Sequence, residues 1–100
     1  MLNRITHDHL AEIQLARPPV NALNRELLVT LQEAITGAID GGARGIVLSG
    51  SPGMFSAGVD VPALMGRERA EVRAFWREFF ATCGVLARAP VPVVAAITGH

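Results

Sequence analysis

The alternation of strand-like and helix-like segments is the feature that most constrains how this chain can fold. Apolar residues recur at helical spacing in residues 24–40 and 68–88, and a short apolar run follows each segment, at 45–48 and at 93–97. Strands that alternate with long helices favour right-handed crossovers and parallel pairing. Ligands of such sheets bind beyond the carboxyl ends of the strands, so the loops that follow the strands are the candidate site.

A β-hairpin is predicted at the amino terminus. Apolar and polar side chains alternate in residues 10–17, as in a half-buried strand, and a shorter strand near residues 4–7 would pair with it around Asp8. Pro18 and Pro19 then prevent either a strand or a helix from continuing. The side chains expected on the buried side of this strand are Ala11, Ile13 and Leu15.

Each of the two helices is predicted to bury one apolar stripe. The first helix begins after the N-cap Asn24 and ends at Gly41 and Gly42, and its stripe is formed by Leu27, Leu28, Leu31, Ala34, Ile35, Ala38 and Ile39. The second helix carries a broader stripe, formed by Val72, Phe75, Trp76, Phe79, Phe80, Cys83 and Leu86. We expect this second stripe, with Cys83 as a packing residue, and the strand at 93–97 to be buried.

Composition excludes several classes of protein. Half of the residues are hydrophobic, which predicts a folded core, and nine basic residues balance nine acidic ones, which argues against a nucleic-acid or membrane-surface partner. Cys83 is the only cysteine, so no internal disulfide or thiolate zinc cluster can form. The first ten residues contain neither a signal core nor a spanning run, and a cytoplasmic location is expected.

The loop Met-Phe-Ser-Ala-Gly-Val-Asp at residues 54–60 carries the chemistry that the sequence suggests. Gly58 lets the backbone turn and aim peptide N–H groups outward, and the N–H of Val59 would lie in the first turn of a short helix at 59–66. Such a donor suits a developing negative oxygen, and Asp60 would hold the turn rigid. A P-loop is excluded because Val59 and Asp60 occupy the lysine and hydroxyl positions. A purely structural turn is the alternative.

Four blocks together resemble the enoyl-CoA hydratase/isomerase (crotonase) family: Arg-Pro-Pro-Val-Asn-Ala-Leu-Asn at 17–24, Gly-Ile-Val-Leu-Ser-Gly at 45–50, Phe-Ser-Ala-Gly-Val-Asp at 55–60 and Pro-Val-Val-Ala-Ala-Ile-Thr-Gly-His at 92–100. Within that family, the Pro-Pro-Val-Asn block at 18–21, the Phe-Ser-Ala-Gly-Val-Asp block at 55–60 and the Phe75-Trp76 pair are together most similar to the delta-3, delta-2-enoyl-CoA isomerases. The resemblance implies an α/β fold, the ClpP/crotonase-like spiral of ββα units. Residues 1–100 would be the amino-terminal part of one such domain, with the remainder beyond residue 100.

The resemblance also implies the roles of individual residues in binding an acyl-CoA. The N–H of Val59 would be the first of two oxyanion-hole donors, and Leu64 or Trp76 would line the acyl tunnel. The CoA-binding set would be Val20, Asn21, Ala22, Ser56, Ala57, Gly58, Val59 and Asp60. Arg17 would either approach the CoA phosphates or remain solvated. The second donor, a glycine, and the catalytic glutamates would lie past His100.

An enoyl-CoA isomerase or hydratase of fatty acid metabolism is the implied function, with coenzyme A as part of the substrate, no separate cofactor, and assembly into trimers or pairs of trimers. Other enolate reactions, or a non-catalytic acyl-CoA-binding or assembly member, are the alternatives. The residues present would not suffice for turnover, because all six glutamates are interpreted as surface residues: Glu12, Glu26, Glu33, Glu68, Glu71 and Glu78. No metal is expected, since His7 and His9 lack further ligands.

Overall fold

Four strands form one sheet in the order β1-β2-β3-β4 in the computed structural model, which describes all residues from Met1 to His100. The elements in chain order are β1 (Leu2–His7), β2 (Leu10–Leu15), α1 (Arg25–Asp40), β3 (Gly45–Ser49), α2 (Val61–Leu64), α3 (Arg69–Ala87) and β4 (Val93–Ala96). No helix among them is both long enough and apolar enough to cross a membrane.

The pairing of the strands confirms the predicted hairpin and the predicted parallel pairing. Strands β1 and β2 are antiparallel, and Asp8, at φ 54°, makes the turn between them. Strand β2 then pairs with β3, and β3 with β4, in parallel register. Because parallel strands end at the same edge of a sheet, the segments that leave β2, β3 and β4 all meet there.

Helix α1 has the predicted boundaries and packs on one face of the sheet. The Asn24 side chain accepts a hydrogen bond from the Leu27 N–H at 2.8 Å, and Gly41 and Gly42 end the helix, with Gly42 at φ 92°. Of the predicted stripe, only Ile39 is not fully buried. The stripe and two strands form the core cluster of Ile13, Leu31, Ala34, Ile35, Ala38 and Ile46.

The prediction that α3 buries a broad aromatic stripe is wrong. Phe75 is buried, but Trp76 is 39% exposed, Phe80 is 66% exposed, and Cys83 is exposed rather than packed. The physical reason is that α3 packs against α1 and not against the sheet, and one helix–helix contact covers only a narrow strip. The polar Thr82, seven residues after Phe75 on the same face, is buried instead.

The strand at 93–97 is likewise not buried as predicted. Val94 is 59% exposed and Ile97 is 66% exposed. Strand β4 lies at the edge of the sheet, and Val94 pairs with Val47 on the face opposite α1, which no helix of the chain covers. An apolar run therefore indicated a strand correctly but did not indicate what covers it.

On the face opposite α1, Glu12 is hydrogen-bonded to other side chains, so the interpretation of Glu12 as an ordinary surface acid is wrong. Its carboxylate accepts a hydrogen bond from the Ser49 hydroxyl at 2.6 Å and lies 2.9 Å from His7 Nε2. The hydrogen bond from Ser49, and after it that with His7, lowers the pKa of Glu12. No group of three or more potential metal ligands comes together in the chain.

Candidate functional site

Two loops build the candidate site at the edge where the parallel strands end. The first loop, residues 16–24, follows β2, and the second loop, residues 50–60, follows β3. Because β2 and β3 are neighbours, the two loops lie side by side. Three main-chain hydrogen bonds join them: Leu23 N–H to Gly58 O at 2.7 Å, Ala57 N–H to Val20 O at 2.9 Å and Asp60 N–H to Leu23 O at 2.9 Å.

Asn21 holds the two loops together from the inside. It is 1% exposed and adopts φ 52°, a left-handed conformation that asparagine tolerates better than most residues. Its Oδ1 accepts from the Arg17 N–H at 2.8 Å, and its Nδ2 donates to Phe55 O at 3.0 Å. The Asn21 side chain, which was expected to contact CoA, thus links the two loops instead. Its neighbours Val20 and Ala22 are more accessible.

The turn at Ser56, Ala57 and Gly58 is fixed by a short hydrogen-bonded chain. The Ser56 hydroxyl donates to Asn21 O at 2.7 Å and accepts from the Gly58 N–H at 3.0 Å. Gly58 has φ 85°, a backbone conformation that favours glycine, as the sequence predicted for this position. The hydroxyl of Ser56, which the sequence reading treated only as a CoA neighbour, therefore sets the shape of the turn.

The peptide N–H of Val59 differs from its neighbours because it has no hydrogen-bond partner in the chain. The N–H groups of Ala57, Gly58 and Asp60 are all bonded within the loops. Val59 forms a parallel bridge with Leu23, which fixes the peptide planes on both sides of it. A rigid backbone with an unpaired donor between bonded neighbours can receive a negatively charged oxygen without reorganisation.

The position of Val59 corrects one detail of the prediction. Helix α2 begins at Val61, with Asp60 as its N-cap, so Val59 precedes the helix instead of lying in its first turn. A helix of four residues also has only a weak dipole. The bridge to Leu23, and not the helix, therefore positions the Val59 amide.

Asp60 is tied to both loops, in keeping with a scaffold role. One carboxylate oxygen accepts from the Ala63 N–H at 3.2 Å, and the other pairs with Arg17 Nη1 at 2.8 Å. The hydrogen bond from Arg17, assisted by the Ala63 N–H, lowers the pKa of Asp60. The same Nη1 donates to Ala22 O at 2.8 Å, so Arg17 is neither freely solvated nor limited to one loop.

Two hollows lie next to these loops. Leu64, with Ala63 and Phe75, lines a recess of about 270 Å³ whose other walls are polar. An apolar cavity of about 340 Å³ between α1, α3 and the second loop reaches Ser56 and Gly58; its apolar lining includes Leu23, Leu28, Leu48, Phe55 and Phe79. Trp76 lines neither hollow, and the second was not anticipated, because it depends on how α3 crosses α1.

The end of β4 contributes a third segment that sequence reasoning missed. The N–H groups of Phe55 and Ser56 donate to the His100 carbonyl at 2.6 and 3.0 Å. Gly99 forms a bridge with Gly53, and a Cβ on Gly99 would lie 2.2 Å from the Gly53 backbone. The only signal in the sequence was the pair of glycines that this close approach requires.

Comparison with known proteins identifies proteins of similar sequence and fold. The human peroxisomal bifunctional enzyme is 38% identical over 94 residues, which are 93% of this chain and 12% of that protein. A Mycobacterium avium protein named as a probable enoyl-CoA hydratase is 37% identical over 95 residues, covering 91% of this chain and 36% of its own length. The chain thus spans about a third or less of these relatives.

The structure of human mitochondrial delta3-delta2-enoyl-CoA isomerase superposes with a TM-score of 0.92 at 28% identity, covering 98% of this chain and 40% of the isomerase. The mixed α/β sheet is therefore the amino-terminal portion of the crotonase fold, as the sequence resemblance implied. The sequence pattern of the family described as enoyl-CoA hydratase/isomerase matches residues 6–100. The chain belongs to the enoyl-CoA hydratase/isomerase family.

Proposed function

We propose that the protein carries out acyl-CoA thioester chemistry through an enolate, as an enoyl-CoA isomerase or hydratase, and that Val59 supplies one oxyanion-hole donor. The observation that carries the proposal is the unpaired Val59 N–H on a loop whose neighbouring amides are all bonded. Family membership supports the substrate class. Coenzyme A enters as part of the substrate, so the proposal includes no separate cofactor.

Enolate chemistry requires such a donor for a physical reason. Removing a proton beside a thioester, or adding water across the neighbouring double bond, moves negative charge onto the thioester oxygen. A donor already aimed at that oxygen stabilises the charged state more than the neutral carbonyl, and this difference lowers the barrier. Removing one donor of this kind costs about 2.7–4 kcal/mol in comparable sites.

The other residues receive supporting roles in this proposal. Val20, Ala22, Ser56 and Ala57 border the CoA moiety; all four belong to the two joined loops and none is fully buried. Asn21, Gly58 and Asp60 maintain the loops that make those contacts. Leu64 lines part of the acyl pocket. A trimer or a pair of trimers in the cytoplasm remains the expected state of the whole protein.

A non-catalytic acyl-CoA-binding or assembly role is the second candidate, and the state of Asp60 favours it. Asp60 is the acid nearest in sequence to the Val59 amide, and its two oxygens are bonded to Ala63 and Arg17. A carboxylate in that state is a poor proton shuttle. Catalysis would therefore depend on an acid other than Asp60.

Assays on the full-length protein separate these candidates. We expect a 3-enoyl-CoA to be converted to the 2-enoyl isomer if the protein is an isomerase, and a 2-enoyl-CoA to gain water if it is a hydratase. Both can be followed by absorbance of the conjugated thioester. Binding of both esters without turnover would support the binding role, and failure to bind either would contradict the proposal.

A further inference from the structure

Arg17 lies at the head of a chain of hydrogen bonds that ends at the Val59 N–H. Its Nη1 donates to Ala22 O at 2.8 Å, and that carbonyl belongs to the same peptide unit as the Leu23 N–H. The Leu23 N–H donates to Gly58 O at 2.7 Å, and that carbonyl belongs to the same peptide unit as the Val59 N–H. Two peptide units therefore connect a guanidinium to the unpaired amide.

The direction of the chain gives it an electrostatic consequence. A cation at a carbonyl oxygen draws electrons toward that oxygen and leaves the N–H of the same peptide unit more positive. The next peptide unit is polarised in the same sense, because hydrogen bonds in series strengthen one another by about 10–30% per bond. The Val59 N–H is the positive end of this series. Because it has no acceptor within the chain, its increased partial positive charge is available to a ligand oxygen.

Arg17 also bears on the charge of Asp60. The carboxylate follows Val59 directly in the chain and would disfavour a negative oxygen at the Val59 N–H. The guanidinium lies 2.8 Å from that carboxylate, and the two side chains are only 28% and 16% exposed, so solvent screens the pair incompletely. One nitrogen atom thus polarises the donor and balances the nearest acid.

We propose that Arg17 is a positioning residue that polarises the Val59 oxyanion donor through the Ala22–Leu23 and Gly58–Val59 peptide units. This inference rests on the proposed function for its effect on the rate, but not for the polarisation itself. One oxyanion-hole donor accelerates a reaction by about 10²–10³. If polarisation strengthens the hydrogen bond of that donor by about 10–30%, the logarithm of this factor grows by the same fraction, which corresponds to about two- to eightfold in kcat.

Three substitutions separate charge from tethering. Arg17→Lys keeps the positive charge and a donor, Arg17→Gln keeps a donor without the charge, and Arg17→Met keeps neither. We expect kcat to stay within about twofold for the Lys variant and to fall about two- to eightfold for the Gln and Met variants, with KM changed less than kcat. Arg73→Met, an exposed arginine on α3 with no side-chain hydrogen bond, is the matched control.

A second measurement does not require activity. In the ligand-free, full-length protein, the amide proton resonance of Val59 should move upfield in the Gln and Met variants and stay in place in the Lys and Arg73→Met variants. If the wild-type protein turns over neither enoyl-CoA but this resonance responds as expected, the proposed function fails and the polarisation is upheld. An unchanged Val59 resonance in the Gln and Met variants overturns the inference.

The kinetic results can overturn it as well. If Arg17→Gln matches Arg17→Lys in kcat, the arginine acts only as a tether. If the double variant Arg17→Met with Asp60→Asn regains the wild-type kcat, the loss came from the unbalanced carboxylate and not from the peptide series. A fall in kcat that merely parallels a fall in the thermal midpoint of all three variants would likewise contradict polarisation.

Discussion

At the scale of single residues, Asn21 determines how the site is built. Its amide and carbonyl groups bond to the backbone of Arg17 and Phe55, which are on different loops, and its main-chain oxygen holds Ser56. A buried polar side chain with all its partners in place fixes one arrangement, because any other arrangement leaves a group unpaired. The Val59 amide owes its fixed position to such contacts and not to its own side chain.

Replacing Asn21 should therefore destabilise the full-length protein. Asn21→Ala leaves the Phe55 carbonyl and the Arg17 N–H without their partner and puts alanine at φ 52°, and we expect a loss of about 2–4 kcal/mol in the free energy of unfolding in urea. Asn21→Gly is the control, since it removes the same bonds without the backbone strain, and should be about 1 kcal/mol more stable than the Ala variant. Two variants as stable as the wild type would contradict the argument.

Gly58 offers a test of the turn itself. Gly58→Pro cannot adopt φ 85° and removes the N–H bonded to Ser56, so the Gly58–Val59 peptide must turn away, and we expect turnover of enoyl-CoA to fall below detection. Gly42→Pro is the matched control, because Gly42 has φ 92° and its N–H is bonded to Ile39 at the end of α1. A folded Gly58→Pro protein with the activity of Gly42→Pro would rule out the role of this turn.

At the scale of elements, the packing of α3 on α1 decides which apolar residues of α3 are buried. The contact is sealed by Phe75 and by Thr82, whose hydroxyl accepts from Gln32 Nε2 at 3.1 Å and donates to Glu78 O at 2.8 Å. The aromatic rings of Trp76 and Phe80 contact each other on the exposed side of the helix, tilted by 35° with centroids 6.2 Å apart. The exposed parts of these two rings form an apolar surface on α3.

Two phenylalanines on α3 should behave differently despite their identical chemistry. Phe75→Ala removes a side chain that is 2% exposed and should cost about 3–5 kcal/mol of unfolding free energy. Phe80→Ala removes one that is 66% exposed and should change stability within about 0.5 kcal/mol. The unfolding free energy of both variants should be measured in the full-length protein. A large loss of stability for Phe80→Ala would mean that another part of the protein covers the Phe80 side chain.

At the scale of the whole molecule, the sheet is used on its two faces in different ways. Helix α1 covers one face and forms the core with Ile13 and Ile46. The other face carries the hydrogen-bonded side chains of Glu12, Ser49 and His7, together with the exposed Val94 of β4. The site lies at neither face but at the edge where β2, β3 and β4 end. Substitutions that alter one face should therefore leave the joined loops in place.

Acid should weaken the connection between the loops. The pKa of Asp60 is lowered in the folded protein by Arg17, so its contribution to stability is present above the unfolded pKa, near 3.8, and is lost as the pH falls through the lower folded value. We expect the stability difference between wild type and Asp60→Asn to shrink as the pH is lowered from 7 to 3 in denaturant titrations. Glu33→Gln, an exposed acid without a side-chain hydrogen bond, controls for net charge, and a constant difference would contradict the prediction.

The sequence by itself determined the order, type and approximate bounds of the elements, and the resemblance of four sequence blocks indicated the family. The elements depend on local patterns: alternation in β2, helical spacing and the Asn24 cap in α1, and the need for glycine at position 58. Nearest-neighbour physics along the chain decides them, so they can be predicted without knowing what lies across space. The motif around Val59 was found for the same reason.

Only the tertiary structure decided which surfaces are covered and which polar groups meet. Arg17 and Asp60 are 43 positions apart and Asn21 and Phe55 are 34 apart, and nothing in either local segment encodes those contacts. The exposure of Phe80 and Val94 was missed for the same physical reason, since an apolar stripe specifies that a face can be buried but not whether a neighbour reaches it. The freedom of the Val59 amide is likewise a result of the way the two loops pair.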